Sequence, residues 1–214
     1  MSVNGTILEF RDDGTWWVDP AFRLIPVPAF ALRAGVNTVE FEFGMRDETA
    51  IEAVYLLGDF GVFRGGDGPT VAKLAPALTV GDVVHQGLLF YSGKLTYLLP
   101  PAAHVDGVSN SEEREAYTLE IPSFGGACLV VNTDRRADRI LPFPPYQMVL
   151  EADDLAHTIG LTVVLTRRNT FGPLHQVPKL SENYGPMNWR TRHNSFSREH
   201  QLIPAGLLSY PHLV

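Results

Sequence analysis

The chain has 214 residues, 45% of them hydrophobic and 19% charged, enough for one good-sized β-domain with a real core plus extra material. A formal net charge of −7 argues against a phosphate-backbone partner, so nucleic acid is excluded as an expected ligand. The single cysteine, Cys128, rules out a disulfide framework within the chain, and no apolar run is long enough to span a bilayer.

Strand signals dominate the chain. Val3-Asn4-Gly5 opens it, followed by Asp19-Pro20-Ala21-Phe22 and the apolar stretch Leu24-Ile25-Pro26-Val27. Thr38-Val39-Glu40-Phe41-Glu42-Phe43 alternates cleanly and predicts a strand with one wet face. Leu95–Leu99 and Tyr117–Ile121 are further predicted strands. Leu161–Leu165 reads as a strand buried on both faces. Turn signals separate them at Asp12-Asp13-Gly14, Gly65-Gly66-Asp67-Gly68-Pro69, Ser123-Phe124-Gly125-Gly126 and Phe143-Pro144-Pro145. Helical periodicity is poor, with short turns predicted near Ala50–Glu52 and Asp153–His157. Many short strands with Gly/Pro turns predict an all-β chain of β-sandwich type.

Residues 3–43 and 130–165 read as two copies of one half-domain. The second copy runs Val130-Val131-Asn132-Thr133, then Pro144–Leu150, then Ile159–Leu165. The expected organisation is a partial β-sandwich (residues 1–48, the back half of a preceding domain), a nearly complete sandwich (49–180) and a tail (181–214). That tail carries Tyr184, Trp189, Phe196 and Tyr210 and docks through its apolar residues. A half sandwich leaves apolar side chains such as Phe22, Phe30, Val39, Phe41 and Phe43 needing cover, from missing material, a partner chain or the second sandwich.

Three landmarks carry a family resemblance. They are Tyr55–Val62, then Gly81-Asp82-Val83-Val84-His85-Gln86-Gly87-Leu88-Leu89-Phe90-Tyr91-Ser92-Gly93-Lys94-Leu95-Thr96-Tyr97, then Arg167-Arg168-Asn169-Thr170-Phe171-Gly172-Pro173-Leu174-His175. Their order, with the ending Gln201–Leu207, resembles the C-terminal region of large bacterial glycoside-hydrolase-like proteins. There a galactose-binding-like jelly roll follows a catalytic barrel. The resemblance covers most of residues 50–214 and implies a jelly roll in an ancillary position. No catalytic residue of the family lies in that region, so none is carried over. The chain departs from the family at Val131-Asn132-Thr133, where the family has Val-Asn-Gly. It departs again at Gly160-Leu161-Thr162, where the first copy keeps Gly35-Val36-Asn37. Thr does not suit positive φ, so the hairpin after Asn132 must differ.

The residues themselves show little chemistry. The seven histidines (His85, His104, His157, His175, His193, His200, His212) form no metal pattern, and no cofactor is implied. Glycoside hydrolysis needs two carboxyl groups ~5–10 Å apart, and sequence pairs none across a cleft. Asp153-Asp154, Asp59 and Asp82 read as turn or cap residues. Sugar binding needs aromatic faces beside hydroxyl-bonding groups. The candidates are Trp16, Trp17, Tyr91, Arg168, Asn169, His175 and Trp189. Beside each stands a packing role: one of Trp16 and Trp17 in the core, Tyr91 beside Phe90, Arg168, Asn169 and His175 stapling their own loop, Trp189 pinning the tail.

The expectation is therefore a non-catalytic accessory or carbohydrate-binding module of a glycoside-hydrolase-like protein. Its partners would be carbohydrate, and a catalytic domain of the same parent or a partner chain. The alternatives are a structural interaction module that binds no sugar, and a hydrolase with an unrecognised site. No secretory signal is visible at the N-terminus, so a complete chain would be cytoplasmic.

Overall fold

A computed structural model describes residues 1–10, 13–49, 53–66, 68–101, 116–178 and 193–214. The chain is all-β: its sheets are antiparallel, and the α-helices among the described residues are two four-residue turns. No helix of the described residues is long and apolar enough to cross a membrane. Contacts divide the chain into two compact units, Met1–Leu56 and Leu57–Val214.

The first unit holds five short strands: β1 (Ser2–Val3), β2 (Thr6–Ile7), β3 (Trp16–Trp17), β4 (Asp19–Arg23) and β5 (Val39–Glu40). Asn4 and Gly5 take φ of 50° and 81°, so β1 turns tightly into β2 with Val3 opposite Thr6. This is the pairing Asn-Gly favours, because both central residues need positive φ. β5 pairs with the other edge of β1, giving the order β2-β1-β5. Asn4 fixes the junction. Its Nδ2 donates to the Ala31 carbonyl and to Asn37 Oδ1 (both 2.8 Å), and its Oδ1 accepts from the Thr38 amide (2.9 Å). Both amide hydrogens are engaged, so Asn4-Gly5-Thr6 is folded into the sheet as a structural turn.

The core of this unit is small. Val3, Leu8 and Ala31 are buried, with Met1, Ile25 and Val27 packed on them. Phe30 is 82% exposed and Val36 79%. The strand expected over Thr38–Phe43 is corrected: the ladder covers only Val39–Glu40, and Val39, Phe41 and Phe43 are exposed along with Glu40 and Glu42. Sequence alternation predicts one wet face, but all of residues 39–43 are exposed, so no buried face is formed there.

The second unit is sandwich-like. A hairpin of β6 (Gly61–Gly65) and β7 (Gly68–Ala72) leads to a 3-10 turn at Val83–Gln86. The strands β8 (Lys94–Leu99), β9 (Ala116–Glu120), β10 (Phe124–Gly125), β11 (Cys128–Thr133), β12 (Arg136–Leu141) and β13 (Gln147–Glu151) follow. After them come α1 (Ala152–Leu155), β14 (Ile159–Val164), α2 (Arg168–Phe171), β15 (Gly206–Leu207) and β16 (His212–Leu213). One sheet has the order β12-β11-β14-β8 and another β13-β9-β16. Leu129, Val131, Leu161 and Val163 from the first share one core with Leu119, Met148 and Leu150 from the second. Side chains alternate across each strand, so two apolar faces closing on one another bury every second residue.

Both units place a central strand between its hairpin partner and a later returning strand: β2-β1-β5 and β12-β11-β14. The hairpins differ as their sequences require. Among the described residues Asn4, Val18 and His193 are the non-glycine positions with positive φ, so the Asp134-Arg135 turn closes without it. Its ladder shifts register between Val131 and Thr133 instead.

The C-terminal segment is sewn into the second unit. The Gly81 amide donates to Leu207 O (2.7 Å) and the Val83 amide to Ala205 O (3.0 Å). The Ala205 amide donates to Asp82 Oδ1 and the Leu207 amide to the Tyr97 hydroxyl (both 3.0 Å). Burial raises the Tyr97 pKa above its ordinary 10.0, against the lowering effect of the Leu207 amide. Leu202, Ala205 and Leu207 are buried. Ser123–Gly126, expected as a turn, also supplies β10, which pairs with β15. Two-residue strands have no periodicity from which to be read. Near α1, Asp154 accepts from the Glu151 amide (2.9 Å) in a reciprocal capping box, as its cap role requires. The turn expected at Ala50–Glu52 lies outside the described residues.

Candidate functional site

The closing landmark folds into a polar cluster of the second unit. After β14 the chain makes α2. There the Thr170 hydroxyl donates to Phe90 O (2.7 Å), and the left-handed Gly172 (φ 90°) turns the chain out. A Cβ at Gly172 would sit 2.6 Å from the Leu174 amide nitrogen, so the bend admits only glycine. Residues Leu174–Val177 then run against Ser195–Gln201. The Gln201 amide donates to Leu174 O (2.6 Å), Ser197 to His175 O (2.8 Å) and Val177 to Ser195 O (2.9 Å).

Two histidines meet here. His175 Nδ1 donates to the Ser197 carbonyl (2.9 Å). A carbonyl only accepts, so the neutral ring carries its proton on Nδ1 and leaves Nε2 as the basic nitrogen. The ring stacks on Phe196 with centroids 5.7 Å apart and lies 4.9 Å from His200. His200 stands edge-on to Phe90 at 5.1 Å, and an Arg64 guanidinium nitrogen donates to the His200 carbonyl (3.4 Å). Burial first, then His175 and Arg64, hold the His200 pKa below its usual 6.5. Among the described residues no three His, Cys, Asp or Glu side chains converge as a metal cage would require.

Of the residues singled out in the sequence, Asn169 is 3% exposed, and its amide is taken up by Ile203. Nδ2 donates to Ile203 O (2.8 Å) and Oδ1 accepts from the Ile203 amide (2.9 Å). Arg168 is half-buried at the start of α2. Tyr91 is 41% exposed. Its hydroxyl donates to Lys94 O (3.2 Å), and a Cβ at Gly93 would collide with that hydroxyl. The α2 loop thus gathers Arg168, Asn169 and His175, and Thr170 ties it to the residue before Tyr91.

Trp16 and Trp17 belong to the first unit. Trp17 packs with Phe22 (6.1 Å) and Tyr55 (5.7 Å), while Trp16 is 49% exposed. Trp189 lies outside the described residues. Sequence reasoning missed His200, Phe196 and Arg64. No spacing pattern links them to His175, and only the antiparallel return of the C-terminal segment does.

A second polar feature lies on the outward side of the four-stranded sheet. Thr96 and Thr162 share a hydrogen bond (2.8 Å), and Thr162 donates to Asn132 Oδ1 (3.4 Å). Cross-strand threonine pairs are ordinary sheet stabilisers. Compared with family models, with curated proteins and with solved structures, the chain matches none.

Proposed function

We propose that this chain is a non-catalytic accessory β-sandwich module of a glycoside-hydrolase-like protein, and that its Met1–Leu56 unit works by packing against other protein. The observation that carries the interaction reading is the imbalance of that unit among the described residues: three buried apolar residues against largely exposed Ile7, Phe30 and Val36 and half-exposed Val39, Phe41 and Phe43. Burying one large apolar side chain contributes roughly 1.5–3 kcal/mol. Apolar side chains of this kind gain more from a protein partner than from water, and where they gather into a patch they mark an interaction site. The link to glycoside-hydrolase-like proteins rests on the three sequence landmarks.

Carbohydrate binding is the second reading, favoured by one arrangement. Trp16 pairs with Arg23 in the β3–β4 ladder, which puts an aromatic and a cationic residue at one register position. The α2 loop supports it less, because Asn169 and the His175 Nδ1 are used within the chain.

The test uses the purified chain. An apolar dye should fluoresce strongly on the native protein, and Phe30→Ser with Phe43→Ser should weaken that signal without changing circular dichroism. A glycan array run beside it on wild type, Trp16→Ala and Tyr91→Ala decides the second reading. Sugar binding lost in Trp16→Ala, with no native dye signal, overturns the interaction reading in favour of carbohydrate.

A further inference from the structure

We infer that the free edge of β5 is completed by an antiparallel strand of a partner protein in which apolar residues alternate with Lys or Arg; this rests on reading Met1–Leu56 as a docking unit and names what docks there. β5 ends its sheet, β2-β1-β5. In the second unit the strand in the same topological place, β14, is flanked by β8 across six residue pairs, from Ile159↔Leu99 to Val164↔Lys94. There the returning strand is buried along most of its length; β5 is exposed throughout. An exposed edge strand is a template for a further strand.

Charge decides the occupant. β5 itself puts Val39 and Glu40 on opposite sides, and Phe41-Glu42-Phe43 repeats the same apolar–acidic alternation in sequence, so a strand extended by pairing would gather the apolar residues on one side and both carboxylates on the other. The Ser2 hydroxyl donates to Glu40 Oε2 (3.0 Å), which holds that carboxylate on its own side of the sheet. A second copy pairing antiparallel about Phe41 would set each Glu40 opposite the other copy's Glu42, and like charges directly opposite are destabilising. A strand with basic residues at those positions meets opposite charge and still presents an apolar side to Val39, Phe41 and Phe43. The wider field has the same sign: residues 1–56 hold nine Asp and Glu against four Arg and no Lys.

The experiment is amide hydrogen exchange of the full chain, with and without two synthetic peptides. One is acetyl-Thr-Val-Lys-Val-Lys-Val-Thr-amide, and the other carries Glu in place of both Lys. Alone, the amides of residues 39–43 that point away from β1 should exchange fast. The lysine peptide at saturation should slow them about tenfold or more, by closing the edge. The glutamate peptide should leave them fast, and the Glu40→Lys, Glu42→Lys double variant should reverse the preference. Equal protection by both peptides, protection with no peptide present, or a dimer by sedimentation that forms through this strand would each overturn the assignment. If neither peptide protects while the apolar dye signal at Phe30 and Phe43 persists, this inference fails and the docking reading stands. Loss of both removes the docking reading itself.

Discussion

Asn169 closes the second unit by bonding both polar groups of Ile203 from a position that is 3% exposed. Changing Asn169 to Leu keeps the bulk and removes both partners, which should cost about 1–3 kcal/mol, read as a lower urea midpoint with an unchanged slope. His200 makes a pH statement. Its folded pKa lies below its unfolded value, chiefly through burial and then through His175 and Arg64, so folding favours the neutral ring. Its penalty is absent above the unfolded value of 6.5, grows as pH falls below it, and is complete once the pH is below the folded value. The thermal midpoint should therefore fall between about pH 7 and pH 5, and His200→Gln should fall less over the same window. Equal loss in both proteins would show that His200 does not drive it. At this scale the sequence was legible only in part. The Arg-Asn-Thr-Phe-Gly-Pro-Leu-His run marked His175, and its Gly172 marked the bend. His200 sits between Glu199 and Gln201 with no pattern, and only tertiary return makes it a partner.

Gly125 and Gly206 pair in the two-stranded contact of β10 and β15. Gly206 has a φ of 91°, and a Cβ there would lie 2.7 Å from the Tyr97 hydroxyl and 2.8 Å from Val83 Cγ1. Gly206→Ala therefore strains the backbone and crowds the half-buried Tyr97 hydroxyl and the buried Val83. The expected loss is about 1–3 kcal/mol, and the Tyr97 hydroxyl should lose the Leu207 amide. Tyrosine titration followed by ultraviolet absorbance reads that bond, and an unchanged midpoint and titration would refute the clamp. The long strands were legible as elements. β8, β9 and β14 alternate or run apolar over five or six residues, and the structure places them where that pattern predicts. β10, β15 and β16 span two residues each, too short for any period, and exist because backbone groups from distant parts of the chain meet. Asn4-Gly5 announces its own turn, whereas Asp134-Arg135 reaches a similar connection through a register shift that no local residue advertises.

Across the whole molecule, burial is divided unevenly between the two units. Among the described residues, nineteen buried hydrophobic side chains form the core of the second and three that of the first. Hydrophobic burial is the main favourable term against chain entropy, so the first unit has far less margin. The need for cover was legible in the sequence as too many apolar residues for a half sandwich; what supplies it was not, because sequence does not show which faces meet. Urea should therefore melt the units separately, with Met1–Leu56 first. Trp16 and Trp17 report that unit, and Trp189 is the remaining tryptophan of the chain. In Trp189→Phe, tryptophan fluorescence follows only the first unit, while far-ultraviolet circular dichroism is dominated by the second. The fluorescence midpoint should come at lower urea, and its slope should be shallower because less surface is exposed on unfolding. A protein that adds a strand to β5 should raise the fluorescence midpoint and leave the dichroism midpoint in place, since ligand linkage stabilises only the unit that binds. Coincident transitions with one common slope would instead mean that the two units unfold cooperatively, and that the apolar surface of Met1–Leu56 is satisfied within the chain.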